Sequence, residues 1–268
     1  MTLTKKQIKN FCLFDDVFFR AFIDGHPECT AEILKVVLGM PKIRIIRHEV
    51  QKQISNGEMR GVRLDVYAEN EENGDLYNIE IQKTDEPALS QRARYYSSLI
   101  DANCSIKQNE PFSVLPRSYV IFICRDDILK MNRAICRFER RTEDGIELGD
   151  GSSIIYVNGS YKGKDDLGLL MKDFNQRNEK KISNVLFAER FAETKKEVIE
   201  KKGSGSMVVT YMDNLIKEKE EAAREAAREE TKAEFVRNML SKSNMSCEEI
   251  ANLTGVPLED VKKIAESA

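Results

Sequence analysis

Hydrophobic positions along this chain change period several times, and each change marks an element. Phe14, Val17, Phe18, Ala21 and Phe22 recur at helical spacing, which predicts a first amphipathic helix from Phe14 to Phe22. A second helix follows from Thr30 to Leu38, closed by Gly39, a residue that adopts the left-handed turn of a helix end without strain. The pattern then tightens to alternation, and Lys42 to Val50, Val62 to Glu69 and Leu76 to Lys83 read as three strands. Pro87 opens a helix that runs to Ala102. Within Ser118 to Cys124, the run Tyr119-Val120-Ile121-Phe122-Ile123 suits a strand covered on both faces in the middle of a mixed sheet. Arg133 to Arg141 and Ser153 to Val157 add a short strand each, and Asp165 to Phe174 and Val185 to Lys201 add helices.

Farther along, the pattern weakens. Gly203-Ser204-Gly205-Ser206 is a flexible break. The segment Met207 to Leu240 contains an alanine-rich stretch from Glu220 to Glu229 with charges of both signs at helical spacing, which predicts a solvated helix and, on composition alone, a spacer. Ser246-Cys247-Glu248-Glu249 is a capping box, Gly255 a C-cap and Pro257 a helix start, so Ser246 to Ala268 reads as helix, tight turn, helix. Its expected core is Ile250, Leu253, Val256, Val261 and Ile264 with Phe235, Val236 and Leu240. The expected organisation is a main domain at 1–202, a break and charged helical linker at 203–232, and a small helical tail at 233–268.

The chemistry concentrates in the second and third strands. Asn73-Gly74 lies between two alternating segments and favours a two-residue type I′ hairpin, because both positions tolerate positive φ. That turn would place Asp65 opposite Gln82 and Glu80 opposite Tyr67, with Asp65 and Glu80 as diagonal neighbours on one face. The face would carry Arg63, Asp65, Tyr67, Asn78, Glu80 and Gln82, while Val62, Leu64, Val66, Ile79 and Ile81 point the other way. Two carboxylates that close repel each other and favour a cation, and Mg²⁺ accepts two carboxylates plus waters and phosphate oxygens. An ordinary solvent-facing hairpin surface would look the same from the hairpin alone.

Leu64-Asp65-Val66-Tyr67, an acidic turn, and Ile79-Glu80-Ile81-Gln82-Lys83 together resemble the D-x(n)-E-x-Q form of the PD-(D/E)xK nuclease signature, particularly that of the transposase-associated, recombination-promoting nuclease family. Asp16-Val17-Phe18-Phe19-Arg20 resembles the opening D-x-x-F-K helix of that family, and Arg92-Ala93-Arg94-Tyr95-Tyr96 its R-A-x-Y-Y helix. The likeness covers Phe14 to Arg125. It implies an α/β fold, a restriction-endonuclease-like mixed sheet core of order αβββαβ with an α-helical C-terminal tail. It also implies Mg²⁺-dependent hydrolysis of DNA phosphodiesters, with Mn²⁺ as an alternative ion, in recombination or mobile-element processing. Asp65 and Glu80 would be the metal ligands, Gln82 a catalytic partner that positions water, Asp16 and Arg20 outer contacts, and Arg92 and Arg94 phosphate-binding groups. Gln82 stands where lysine is usual and cannot cycle a proton, and strand alternation sends Lys83 to the other face. Arg20 likewise replaces a lysine, keeping the charge without the amine. A catalytically degenerate DNA-binding or protein-interaction module on the same fold is the alternative. The tail resembles a helix-turn-helix, yet its second helix opens Leu258-Glu259-Asp260, and acids there oppose DNA phosphate, so helical docking or homo-oligomerisation stays open beside DNA reading.

Composition narrows the classes without choosing among them. The 268 residues, 41% hydrophobic and 32% charged, suffice for one sizeable core and an appendage. Without an apolar run of roughly 20 residues or a secretory signal in Met1 to Asn10, the expectation is a cytoplasmic protein with no membrane partner. Six scattered cysteines with no Cys-x-x-Cys pair read as reduced thiols, and only two histidines argue against an imidazole-rich metal site. A net charge of −3 exerts no global pull on DNA, which leaves any attraction to a local basic surface.

Overall fold

A computed structural model describes residues 9–56, 59–83, 89–104, 106, 108–200, 230–241 and 245–266. These divide into two compact units, 9–200 and 230–266. The expected Pro87 helix start, the Gly203–Ser206 break and the charged linker up to residue 229 lie outside the described residues.

The larger unit opens with helices α1 (Asp16–Ile23) and α2 (Pro27–Leu38), the latter closed by Gly39 at φ 67°. Strands β1 (Ile45–Asn56), β2 (Met59–Asn70) and β3 (Leu76–Gln82) follow, then helix α3 (Leu89–Ala102) and strand β4 (Ser118–Cys124). Strands β5 (Ile135–Phe138) and β6 (Ser152–Asn158) and helices α4 (Asp166–Phe174) and α5 (Val185–Glu200) complete it. The six strands form one mixed sheet of order β1-β2-β3-β4-β6-β5, antiparallel at both edges and parallel from β3 through β4 to β6. This is the expected α/β architecture. The chain first forms an antiparallel meander and then crosses over through α3, because a parallel neighbour cannot be reached by a hairpin.

Apolar side chains cover both faces of the central strands. Tyr77, Ile79, Ile81, Tyr119, Ile121, Ile123, Ile155 and Val157 pack with α1, α2, α4 and α5 in one cluster whose centre is aromatic. Phe18 lies edge-on to Phe191 at 4.9 Å between centroids, and Phe22 to Phe187 at 5.5 Å. The other face packs Val120, Phe122 and Tyr156 beneath Leu89, Ala93, Leu99 and Ile100 of α3. Burying a Phe or Leu of this kind contributes about 1.5–3 kcal/mol each.

Arg190 joins α5 to α1. Its guanidinium is buried and donates to the Phe22 and Ala21 carbonyl oxygens at 3.0 and 2.8 Å, and to Glu197 Oε1 at 3.1 Å. It thereby satisfies carbonyls at the C-terminal end of α1 that have no partner in their own helix and adds positive charge at the negative end of the helix dipole.

In the smaller unit, a helical segment α6 (230–241) precedes α7 (Cys247–Thr254) and α8 (Leu258–Glu266). Ser246 and Glu249 form the expected reciprocal capping box, and Gly255 turns the chain at φ 68°. Val236, Ile250 and Val261 form the core with Leu240, Val256 and Ile264 against it. Leu253 and Phe235 correct the expected core: they are 64% and 55% exposed. The inward stripe of α7 runs through Cys247, Ile250 and Ala251, which turns Leu253 outward.

Candidate functional site

The β2–β3 connection departs from the expected two-residue turn. The pairs are Tyr67 with Asn78, Ala68 with Tyr77 and Glu69 with Leu76, so Asp65 does not face Gln82 and Glu80 does not face Tyr67. Residues 71–74 form a four-residue loop in which only Gly74 has positive φ, at 71°. Asparagine side chains account for the longer loop. Asn70 Oδ1 accepts from the Glu72 amide at 3.2 Å and Asn73 Oδ1 from the Asp75 amide at 3.0 Å, so each asparagine builds a local turn that competes with a tight type I′ reversal. The register moves by two residues, and because a strand alternates with period two, Glu80 and Gln82 keep their face.

Beyond the pair Val66 with Ile79 the ladder opens. The Asp65 amide donates to Glu80 Oε1 at 3.1 Å, and the Ile81 amide to Asp65 Oδ2 at 3.4 Å, so carboxylates stand where strand carbonyls would otherwise accept. The expected alternation of β2 also breaks here. Val66 packs with Ile79 and Ile81 as expected, whereas Leu64 and Val62 pack on the α3 side with Tyr67 and Ile54. On β1, between the pairs Val50 with Val66 and Lys52 with Leu64, Gln51 holds φ 56°. A left-handed residue inside a strand is costly, of order 1 kcal/mol or more, and accompanies this break. Nothing in a glutamine codon position signals positive φ, so Gln51 could not be found from sequence.

The break lets Asp65 meet groups from both layers. Arg20 on α1 bridges Asp16 Oδ2 at 2.8 Å and Asp65 Oδ1 at 3.3 Å. From α3, Arg92 donates to Gln82 Oε1 at 2.9 Å and stands 3.9 Å from Glu80 Oε2, with its guanidinium 5.2 Å from the centre of the Phe122 ring. Asp16, Arg20, Asp65, Glu80, Gln82 and Arg92 therefore converge. Arg94 does not, since two residues along a helix turn it to the exposed side of α3. Lys83 pairs with Asp15 Oδ1 at 2.7 Å, outside the carboxylate pair. Tyr95 and Tyr96 are half-buried, Tyr95 donating to the Arg60 carbonyl. Asn78, on the Glu80 face, is fully buried, and its carboxamide lies near Glu80 without a hydrogen bond of normal geometry.

Burial, and secondarily the Asp65 charge, push the Glu80 carboxyl up to about 8, against the Asp65 amide and Arg92, which favour its ionised form. Burial also raises Asp65, opposed chiefly by Arg20. The folded metal-free protein thus keeps a proton on Glu80 that the unfolded chain releases near pH 4.5. Stability contributed by that proton is full below pH 4.5 and is lost as pH rises through about 8. Urea unfolding of metal-free protein at pH 5 and pH 8 should show this loss, and Glu80→Gln should reduce it. An equal pH dependence in both proteins would contradict the assignment.

Hard carboxylate oxygens, adjacent to each other and each with a second oxygen turned toward an arginine, fit a divalent cation that completes its shell with water and phosphate. Asp65 and Glu80 are the residues able to hold it. Among the described residues no group of three or more His, Cys, Asp and Glu side chains could hold a metal ion. No helix of the described residues is long and apolar enough to cross a membrane.

No curated protein and no solved structure matches the chain significantly. A family model does match, that of the PD-(D/E)XK nuclease family transposases. Its span begins after α1 and takes in the whole sheet and the paired acids. Because it covers residues 29–234, more than half of the sequence, the chain belongs to the PD-(D/E)XK nuclease family transposases.

Proposed function

We propose that the chain is a Mg²⁺-dependent DNA endonuclease that hydrolyses phosphodiester bonds during recombination or mobile-element processing. The observation that carries this reading is the pair of carboxylates, buried Glu80 and half-buried Asp65, side by side where β2 leaves the β3 ladder. PD-(D/E)XK nucleases generally use divalent metals, and bound Mg²⁺ would polarise the scissile phosphate and lower the pKa of a water. The protein's own groups then have distinct tasks. Asp65 and Glu80 supply the negative oxygens that hold the ion. Gln82, held by Arg92, orients a water or a phosphate oxygen through its amide and moves no proton. Arg20 and Arg92 offer forked donors to phosphate oxygens. Asp16 keeps Arg20 directed at Asp65. Nicking of supercoiled plasmid with and without Mg²⁺, beside a Glu80→Ala control, tests the reading.

The same arginines favour a second reading, a binding module on this fold without cleavage. Arg20 and Arg92 already compensate the two acids, and glutamine occupies the usual lysine position. Retained DNA binding with no Mg²⁺-dependent nicking would decide for it.

Position 82 gives a sharper expectation. Gln82→Ala should slow nicking roughly 10–100-fold, as loss of an orienting contact around a metal typically does. Lys83→Ala should change it little, because its ammonium is engaged by Asp15. Gln82→Lys alone should also slow nicking, since it would set an ammonium against Arg92, and Gln82→Lys with Arg92→Gln should recover part of the rate. Inactivation by Lys83→Ala with no effect of Gln82→Ala would overturn these roles.

A further inference from the structure

Strands β3, β4 and β6 are parallel and in register, with Gln82 level with Cys124 and Cys124 level with Asn158. Their carboxyl ends therefore form one edge, on which Gln82 occupies the first place. Parallel sheets commonly bind ligands at such an edge, where the chain leaves each strand into a loop. Here the backbone ties the places together: the Arg125 amide donates to the Gln82 carbonyl at 2.8 Å, and the Gly159 amide to the Cys124 carbonyl at 2.7 Å.

Beyond β4 and β6 this edge opens into a cleft of about 520 Å³, whose rim carries Arg125, Lys162 and Lys172. Asp126 is the acid among its lining residues. None of the three cations is in an ion pair among the described residues, whereas Arg20, Arg92 and Arg190 are all committed to carboxylates. Lys162 and Lys172 are exposed and Arg125 is half-exposed. A methyl group added at Gly168 would lie 1.9 Å from the Gly163 carbonyl oxygen, so the loop after β6 lies directly on α4 and fixes Lys162 beside Lys172. Three cations around one cleft suit a ligand that presents repeated anionic oxygens.

We infer that this cleft is a phosphate track for the DNA strand that enters the Asp65–Glu80 site. The inference rests on the nuclease reading and extends it to substrate contacts. Neighbouring strands are about 4.8 Å apart, so the ends of β4 and β6 stand roughly 5 and 10 Å from that of β3 along this edge.

The experiment is fluorescence anisotropy of a labelled duplex on the full chain at several salt concentrations, run beside plasmid nicking. The variants are Lys162→Ala/Lys172→Ala, and the same pair with Arg125→Ala. Each phosphate contact contributes about 0.9 to the slope of log affinity against log salt, so the double variant should lose about 1.8 and the triple about 2.7. Glu80→Ala should bind with the full slope and not cleave. Lys180→Ala/Lys181→Ala, outside the cleft, should bind like the unaltered protein. An unchanged slope in the double variant, with its thermal unfolding intact, overturns the track, as does absence of DNA binding by the unaltered protein. DNA binding that depends on the cleft, with no nicking under any metal, sustains the track while the nuclease reading fails.

Discussion

Replacing Glu80 or Asp65 by alanine is expected to reduce Mg²⁺-dependent plasmid nicking on the order of 10²–10³-fold or more. A metal ion stabilises developing phosphate charge by several kcal/mol, and each 1.36 kcal/mol lost is a factor of ten in rate. Asp65 and Glu80 are the two carboxylates proposed to hold the ion, so losing either weakens both the ion's occupancy and its placement. The variants should stay folded. Glu80→Ala removes a group whose ionisation the fold opposes, and its thermal unfolding at pH 8 should be no lower than that of the unaltered protein. Nicking by Glu80→Ala at the unaltered rate would sink the mechanism outright.

Arg190→Met should destabilise the larger unit by about 3–5 kcal/mol. It deletes charge-assisted hydrogen bonds to the Phe22 and Ala21 carbonyls and leaves those buried oxygens without a donor. For a unit of this size that corresponds to a fall in Tm of roughly 10 °C. Arg190→Lys should recover only part of it, since one ammonium cannot reproduce a fork reaching two carbonyls and Glu197. A melting temperature unchanged by Arg190→Met would show that the end of α1 finds other donors. Since α1 carries Asp16 and Arg20, a loosened helix should also slow nicking before the unit unfolds.

These two expectations differ in how far sequence could reach them. Alternation and the resemblance both single out Asp65 and Glu80; on β3 Glu80 and Gln82 keep a common face despite the error in turn length, whereas the alternation of β2 breaks beside Asp65. The uninterrupted run Tyr119 to Ile123 was legible as a doubly covered strand, and β4 is buried at every position between two parallel neighbours. What stayed hidden depends on chain segments far apart. Arg190 reads as one more charge on an amphipathic helix, and its partners Ala21 and Phe22 come from the other end of the unit. The insertion of β6 between β4 and β5 follows from packing and leaves no local mark. Arg92 was recognised as a candidate phosphate ligand, but its hold on Gln82 requires the crossover that brings α3 over β3. The hairpin loop was misjudged because Asn73-Gly74 carries a strong preference for a tight turn, which two asparagine side chains override.

The four-residue loop at 71–74 also says how this nuclease family member can change without losing its centre. The loop can lengthen or shorten without turning β3 over, because Glu80 and Gln82 are kept on their face by the parallel pairing of all of β3 with β4 and by burial of Tyr77, Ile79 and Ile81 on the other. The length of this turn is therefore free to vary, while the β3–β4 pairing is what the centre depends on.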